Sequence, residues 1–382
     1  MPPINLLIKP ASSNCNLKCS YCFYNSITNL KEVSNMGMMS EETLEVIVKK
    51  ALEYADGFCT FAFQGGEPTL RGLDFFKKLI ELQKKYNTKG VQINNALQTN
   101  GILIDEEWAK FFSQNKFLLG ISLDGPKEIH DLNRVDMNNK GSFNKIINNI
   151  KILEKYKVDY NILFVINANS GRHAKKIYQF FKKQNFIYLQ FIACLDAGFE
   201  QLGDEKFSLT PDRYYEFLVT FFDSWLMDIK NGRLVSVRYF DNILGIMLGN
   251  QPESCDMKGR CSLQFVVEGD GSVYPCDFYV GDEYIIGNFN DLSIEQMIDS
   301  DISNKFITES LDTNEQCLSC KWGALCRGGC KRHRQVVGDG DLGLNYYCNT
   351  YKRFFEYAAD DLYKVAKLIR SGRLAIKEQY SN

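Results

Sequence analysis

Cys15-Asn16-Leu17-Lys18-Cys19-Ser20-Tyr21-Cys22-Phe23-Tyr24 sets three thiols at C-x3-C-x2-C spacing, just after the apolar run Ile4 to Ile8. A structural zinc or an ordinary iron–sulfur cluster takes four protein ligands. Three thiols on one short loop therefore suggest a 4Fe-4S cluster with one iron left for a small molecule. The bare spacing also admits a structural zinc with a distant fourth ligand, or buried thiols that lie close by chance.

The rest of the composition narrows the setting. At 382 residues the chain exceeds the roughly 250 to 300 at which one core stops growing, so two domains, or one with a large appendage, are expected. Net charge is -2 and the sequence pI about 6.1, with Lys and Arg scattered, which leaves no footprint for nucleic acid. Met1-Pro2-Pro3 runs into a strand without a charged n-region, and no apolar run approaches the roughly 18 residues of a membrane span. The expectation is a cytoplasmic protein with no membrane partner and no leader-binding domain ahead of the first strand. Thirteen cysteines, an odd number in a reducing compartment, point to metal rather than to disulfides.

From Ile4 to about Phe222 apolar strands alternate with amphipathic helices, the pattern of βα units on a parallel sheet. Ser40 is an expected N-cap, with Leu44, Ile47, Val48, Ala51 and Leu52 on one face of the helix that follows. Further strands are predicted at Phe58 to Phe63, Val91 to Leu97, Phe117 to Leu123, Tyr160 to Asn167 and Ile187 to Cys194, with helices near 72–86, 105–114, 143–156 and 172–184. Six units in this length predict a partial, open barrel rather than a closed eight-unit one. Loops after the strands, including Gln64 to Pro68, Gln98 to Gly101, Ser122 to Pro126 and Leu195-Asp196, would gather at one mouth. A helical bridge near 210–231 leads to short strands, Gly turns and cysteines. The expected domains are 1–231, 232–350 and a C-terminal helix with polar tail, 351–382.

Gly65-Gly66-Glu67-Pro68 alone is an ordinary turn motif. After the second strand its glycines expose backbone that could bind the amino end of an amino-acid-like cofactor, with the Glu67 carboxylate beside the ammonium. Ser122 and Arg134 are ordinary by themselves; at the same mouth a hydroxyl and a guanidinium suit a carboxylate and a ribose. The last third holds Cys255, Cys261, Cys276, Cys317, Cys320, Cys326, Cys330 and Cys348, enough thiols for two four-thiolate clusters or for a pair of zinc sites. Cys59 and Cys194 are left over in apolar strands and are expected in the core. Gly269-Asp270-Gly271 predicts a hairpin between Phe265 to Glu268 and Ser272 to Cys276. Asp277, next to Cys276, could simply cap a turn, and His130, His173 and His333 show no ligand spacing.

The cysteine loop with Tyr21 before its third thiol, and the glycine motif after the second strand, resemble the radical S-adenosylmethionine (SAM) superfamily. The C-terminal pattern C-x9-G-x4-C, then C-x2-C-x5-C-x3-C and a last cysteine, resembles its SPASM auxiliary-cluster extension. Leu6 to Ser13, Phe61 to Pro68, Asp124-Gly125-Pro126, Arg238 to Asp241, Tyr274 to Tyr279 and Leu344 to Cys348 are similar to the anaerobic sulfatase-maturating enzymes. This resemblance implies an α/β fold, a partial (β/α)6 barrel with a C-terminal SPASM domain. It implies SAM and three 4Fe-4S clusters: one on Cys15, Cys19 and Cys22, one on Cys255, Cys261, Cys276 and Cys330, one on Cys317, Cys320, Cys326 and Cys348. Tyr21, Gly65, Gly66, Glu67, Gln98, Ser122, Arg134 and the backbone of Leu195 would contact SAM, Tyr24 and Gln64 would line a peptide pocket, and Asp277 would be the general base. The implied activity is oxidation of a cysteine or serine in an unfolded sulfatase polypeptide to Cα-formylglycine, with an electron donor such as ferredoxin or flavodoxin. A SPASM enzyme that cross-links or epimerises a ribosomal peptide is the nearer alternative, and a non-catalytic iron–sulfur electron carrier the more distant one.

Overall fold

The computed structural model describes residues 2–24, 31–196, 202–337 and 341–374, so the polar tail from Lys377 to Asn382 lies outside the described residues. In chain order the strands are β1 (Ile4–Ile8), β2 (Phe58–Phe63), β3 (Gln92–Thr99), β4 (Leu118–Ser122), β5 (Asp159–Ile166), β6 (Tyr188–Ala193), β7 (Ser236–Val237), β8 (Val266–Val267), β9 (Ser272–Tyr274), β10 (Gly287–Asn288), β11 (Arg334–Val337) and β12 (Asp341–Asn345). The helices used below are α1 (Glu41–Tyr54), α2 (Leu73–Tyr86), α3 (Glu106–Gln114), α4 (Lys127–Asn133), α5 (Phe143–Lys155), α6 (Ala174–Lys183), α7 (Pro211–Lys230) and α8 (Arg238–Met247), and α9 is the long C-terminal one (Cys348–Arg370). Two compact units share the chain: Met1–Leu123 with His130–Tyr160 and Ser262–Ile307, and Asp124–Ile129 with Asn161–Cys261 and Thr308–Asn382.

In the first unit β1 to β4 lie parallel and in order, each followed by helix, as the alternating pattern predicts. Ser40 caps α1 by accepting from the Thr43 amide, and Leu44, Ile47, Val48, Ala51 and Leu52 are buried together. Period-two alternation sorts the sheet into two faces. Ile4, Leu6 and Ile8, then Cys59, Phe61 and Phe63, then Leu97 and Thr99 are buried on one face, where Phe76 of α2 meets Phe63 edge-on at 5.1 Å. The register pairs Ile8 with Phe63 and Phe63 with Leu97. One step further, Lys9, Gln64 and Gln98 therefore stand in a row on the opposite face.

The predicted hairpin at Gly269 to Gly271 is present, with β8 and β9 antiparallel. It joins this first sheet rather than standing apart: β8 runs parallel to β1, with Leu7 opposite Val266, and Val266, Val267 and Val273 are fully buried. In the second unit β5, β6 and β7 are parallel neighbours. The stretch expected as a bridge is thus a crossover: α7 carries the chain from β6 to β7, whose Val237 is buried. Thr210 caps α7 and Pro211 takes its first turn. Phe164, Phe181, Phe217, Phe221, Trp225, Phe240 and Phe354 form an aromatic core, with Trp225 donating to the Val235 carbonyl at 2.8 Å.

Asp228 of α7 is buried and ties α6 to α7, accepting from Tyr178 at 3.0 Å and pairing with Lys182 and, at 3.7 Å, Arg233. Asp228→Ala would leave the buried Tyr178 hydroxyl without its acceptor. It should lower stability by about 2 kcal/mol, seen as an earlier midpoint in urea denaturation followed by circular dichroism. A midpoint equal to that of the wild type would show that the carboxylate contributes nothing.

Candidate active site

The cysteine loop is held from both sides. Lys18 and Ser20 amides donate to the carbonyls of Val135 and Asn133 at 2.9 and 3.1 Å, and the Ser20 hydroxyl donates to Asn133 Oδ1 at 2.8 Å. On the other side the Gly66 amide donates to Ser12 O at 2.8 Å and the Glu67 amide to Asn14 O at 2.7 Å. The chains approach so closely that a Cβ on residue 66 would collide with the Asn14 carbonyl, so only glycine fits there.

Glu67 does not project beside a ligand ammonium, as the sequence suggested, because its carboxylate turns inward. It is 1% exposed; Oε1 accepts from the Thr69 amide, the Thr69 hydroxyl and the Thr99 hydroxyl at 3.1, 2.6 and 2.7 Å, and Oε2 from the Asn100 amide at 2.7 Å. Burial raises its pKa above the usual carboxylate range, opposed by these bonds. Asn100 in turn donates to Asn16 Oδ1 at 2.7 Å and lies 3.8 Å from Cys15 Sγ. The glycine motif thus fixes the cysteine loop through the end of β3.

Nearby, Tyr21 is buried beneath the Arg134 guanidinium, 5.4 Å from its ring centroid, and Gln98 donates to the Ser122 hydroxyl at 3.1 Å. These four expected SAM contacts all lie in the first unit. Leu195 is buried in the second, its carbonyl accepting from Arg332 at 3.2 Å.

Asp277 follows the hairpin of the first unit and is 7% exposed. Its Oδ2 accepts from Tyr24 and from Gln64, both at 2.7 Å, so three residues singled out by sequence converge. Sequence missed the fourth member: the buried Lys9 ammonium stands 2.9 Å from Oδ1 and 3.5 Å from Glu268. Glu268 also pairs with Lys31 at 2.7 Å and accepts from Ser12 at 3.0 Å. Burial pulls Lys9 down, but Asp277 and Glu268 more than offset it, and its pKa is raised. For Glu268 burial pushes up while Lys9 and Lys31 prevail, and its pKa is lowered. Burial, then the Asp277 charge, holds the Tyr24 hydroxyl well above its ordinary range, so it serves as a donor. Lys9 was legible in one respect, since it continues the row of Gln64 and Gln98.

The thiols fall into sets that feel one another. Burial pushes Cys15 up to about 12, with the Leu17 amide opposing and Glu67, Cys19 and Cys22 adding. Burial takes Cys326 to about 11, the Gly328 amide opposing, and Cys348, Cys317 and Cys320 add to it. Cys330 reaches about 12 through burial and then Cys255, Asp256 and Cys261, with the Arg332 backbone opposing; Cys276 lies in the other unit. Among the described residues no three His, Cys, Asp or Glu side chains gather as around one ion. Cys59 and Cys194 are buried core thiols, as expected.

Residues 10–181 match the radical SAM superfamily, and residues 255–321 match an iron–sulfur cluster-binding domain, SPASM. Over 370 residues, 97% of this chain and 100% of the relative, the sequence is 52% identical to the cysteine-type anaerobic sulfatase-maturating enzyme of Clostridium perfringens. The chain belongs to the anaerobic sulfatase-maturating enzymes. The serine-type enzyme of Bacteroides thetaiotaomicron is 35% identical over 381 residues, 94% of this chain and 90% of that one. The solved structure of native anSMEcpe with bound AdoMet and Cp18Cys peptide matches with TM-score 0.92 at 52% identity, covering 96% of this chain and 100% of that chain.

As an anaerobic sulfatase-maturating enzyme the chain is a radical SAM oxidoreductase of α/β fold with a SPASM domain, and its cofactors are 4Fe-4S clusters and SAM. The thiol sets fit that chemistry. Cys15, Cys326 and Cys330 are each pushed up first by burial and then in part by neighbouring thiols of their own set, and a metal centre would supply the charge that offsets this.

Gly66→Ala tests the seating of the loop. The added methyl must displace Asn14 and with it Cys15, so after anaerobic reconstitution the variant should lose about one third of its iron and most SAM cleavage. Full iron content with normal cleavage would show that the close approach is dispensable.

Proposed function

We propose that this chain oxidises a cysteine, or a serine, of an unfolded sulfatase polypeptide to Cα-formylglycine without oxygen, with Asp277 as the base. The observation that carries this is the Asp277 carboxylate, held by Tyr24, Gln64 and Lys9 beside Cys276. When bound, a cluster on Cys15, Cys19 and Cys22 with SAM would supply the 5′-deoxyadenosyl radical that takes a Cβ hydrogen, and clusters on Cys255, Cys261, Cys276 and Cys330 and on Cys317, Cys320, Cys326 and Cys348 a sink for the second electron.

Tyr21, Gly65, Gly66, Gln98, Ser122, Arg134 and the Leu195 backbone are the proposed SAM contacts, and Glu67 acts through the loop it holds. Once a Cβ hydrogen is gone, loss of the thiol proton and one electron leaves C=S, which water converts to the aldehyde; a hydroxyl gives the aldehyde directly. Asp277 Oδ2 already accepts from Tyr24 and Gln64. The proton would go to this carboxylate, whose Oδ1 faces the Lys9 ammonium at 2.9 Å. Lys9 balances the carboxylate while it is charged, and Glu268 keeps Lys9 in place. A small redox protein of the ferredoxin or flavodoxin kind is the proposed electron donor. Among the described residues no helix is long and apolar enough to cross a membrane.

The test is incubation with SAM, dithionite and an extended peptide of about 18 residues, roughly 60 Å long at about 3.3 Å each. Its target is a cysteine followed at the second and fourth places by proline or alanine and by arginine. Deuterium on the target Cβ should appear in 5′-deoxyadenosine while the peptide gains an aldehyde. Label retained in the peptide, or a cross-link in place of the aldehyde, would sink the proposal.

Two substitutions separate the base from the radical chemistry. Asp277→Asn should still form 5′-deoxyadenosine but cut formylglycine on the order of 100-fold or more, measured as the ratio of the two products. Lys9→Met should lower that ratio about tenfold, with Lys9→Arg restoring part of it. Unchanged ratios would reduce Asp277 and Lys9 to structural roles.

A further inference from the structure

Residues 331–334 read Lys-Arg-His-Arg, a run of charge that would ordinarily face water. Lys331, Arg332 and Arg334 are buried instead, and each cation ends on a specific acceptor. Lys331 pairs with Glu309 at 2.8 Å, and Arg334 donates to the Ser310 and Asp312 carbonyls at 2.9 and 2.8 Å. His333 between them is held neutral, its pKa drawn down to about 3 by burial and then by the Arg332 charge.

Arg332 reaches elsewhere. It lies two residues past Cys330, and its Nη2 donates to the carbonyl of Leu195 at 3.2 Å and to that of Asp196. A second side chain works on the same loop. Tyr347, fully buried and one residue before Cys348, sets its hydroxyl 3.1 Å from the Leu209 carbonyl and 3.3 Å from that of Cys194. Side chains from the stretch between Cys330 and Cys348 thus hold the Leu195 and Asp196 carbonyls directly and set one hydroxyl between those of Cys194 and Leu209. The Asp196 side chain is held as well. Asp196 Oδ2 accepts from the Gly203 and Asp204 amides at 2.7 and 2.9 Å, and Tyr346 packs so tightly on Gly203 that a Cβ there would strike its hydroxyl.

A guanidinium suits this task. It is always charged, so it neither loses its donors with pH nor leaves the carbonyls unpaired, and the two N–H groups of its Nη2 can hold two neighbouring carbonyls at once. We propose that Arg332 is a positioning residue for SAM: it sets the shape of the Leu195–Asp196 backbone, and so makes SAM affinity depend on the chain segment between Cys330 and Cys348. This depends on the Leu195 backbone touching the adenosine, as the proposed function has it. Arg332 itself need not touch SAM.

The test uses the full chain, anaerobically reconstituted, with SAM binding measured by equilibrium dialysis in the absence of peptide and iron counted in the same samples. Arg332→Met should keep its iron yet bind SAM about tenfold more weakly or worse. Arg332→Lys should recover only part of that, since the shorter, flexible lysine stem does not hold its ammonium at the place of the rigid Nη2. In turnover the KM for SAM should rise while the KM for peptide stays unchanged, a split that general loss of structure would not produce. Tyr347→Phe removes one hydroxyl from the same grip and should weaken SAM about threefold; it decides the outcome if Arg332→Met loses iron. Wild-type SAM affinity in iron-replete Arg332→Met, or in Tyr347→Phe where the former loses iron, overturns the proposal. Because binding is read without peptide, failure of the formylglycine assay would leave this result standing, and the two proposals fall separately.

Discussion

No side chain fits at residue 66, and much of the first unit depends on that. With only a hydrogen there, the chain entering the cysteine loop lies directly against the turn after β2, and two amides lock them together. Glu67 then turns into the protein and binds Thr99 and Asn100, so its carboxylate fastens the turn after β2 to the end of β3. The loop carrying Cys15 inherits its place from this knot through Asn100 and Asn16. The carboxylate of this motif meets the protein, on Thr69, Thr99 and Asn100.

Period and spacing made the parallel strands and their helices legible, because each leaves a local mark in the sequence. Family resemblance singled out Tyr24, Gln64 and Asp277 one by one, and the structure brings them together. What stayed hidden was long-range. Nothing around Lys9 announces Glu268 or Asp277, and nothing around Glu268 announces Lys31, since an ion pair between distant segments has no period. Lys331 to Arg334 make the same point: local composition argues for solvent, while burial is decided by acceptors elsewhere in the chain. The short strand β7 was missed because two residues cannot show alternation.

Arg332 and Arg334 of the second unit hold buried positive charge differently from Lys9 and Lys31 of the first, and the chemistry of the acceptors separates them. In the first, Lys9 and Lys31 face Asp277 and Glu268, so two cations meet two carboxylates and the group is balanced while all four are ionised. Such a group responds when one member takes up a proton, which suits a site that must move one. In the second, Arg332 and Arg334 end on backbone carbonyls, which cannot titrate. Those contacts are insensitive to pH and suit a framework.

The hairpin that borders β1 also sets a timetable. β8, the partner of β1 on one side, is made roughly 260 residues after it, which at ribosomal rates of about 5–20 residues per second is on the order of 10 to 50 s. For that interval one edge of an apolar strand has its backbone donors and acceptors exposed, the condition under which strands recruit a wrong neighbour. Nascent chains are therefore most vulnerable to misassociation late in synthesis, and a chain released before residue 262 would keep β2 beside β1 while its other edge stayed permanently open.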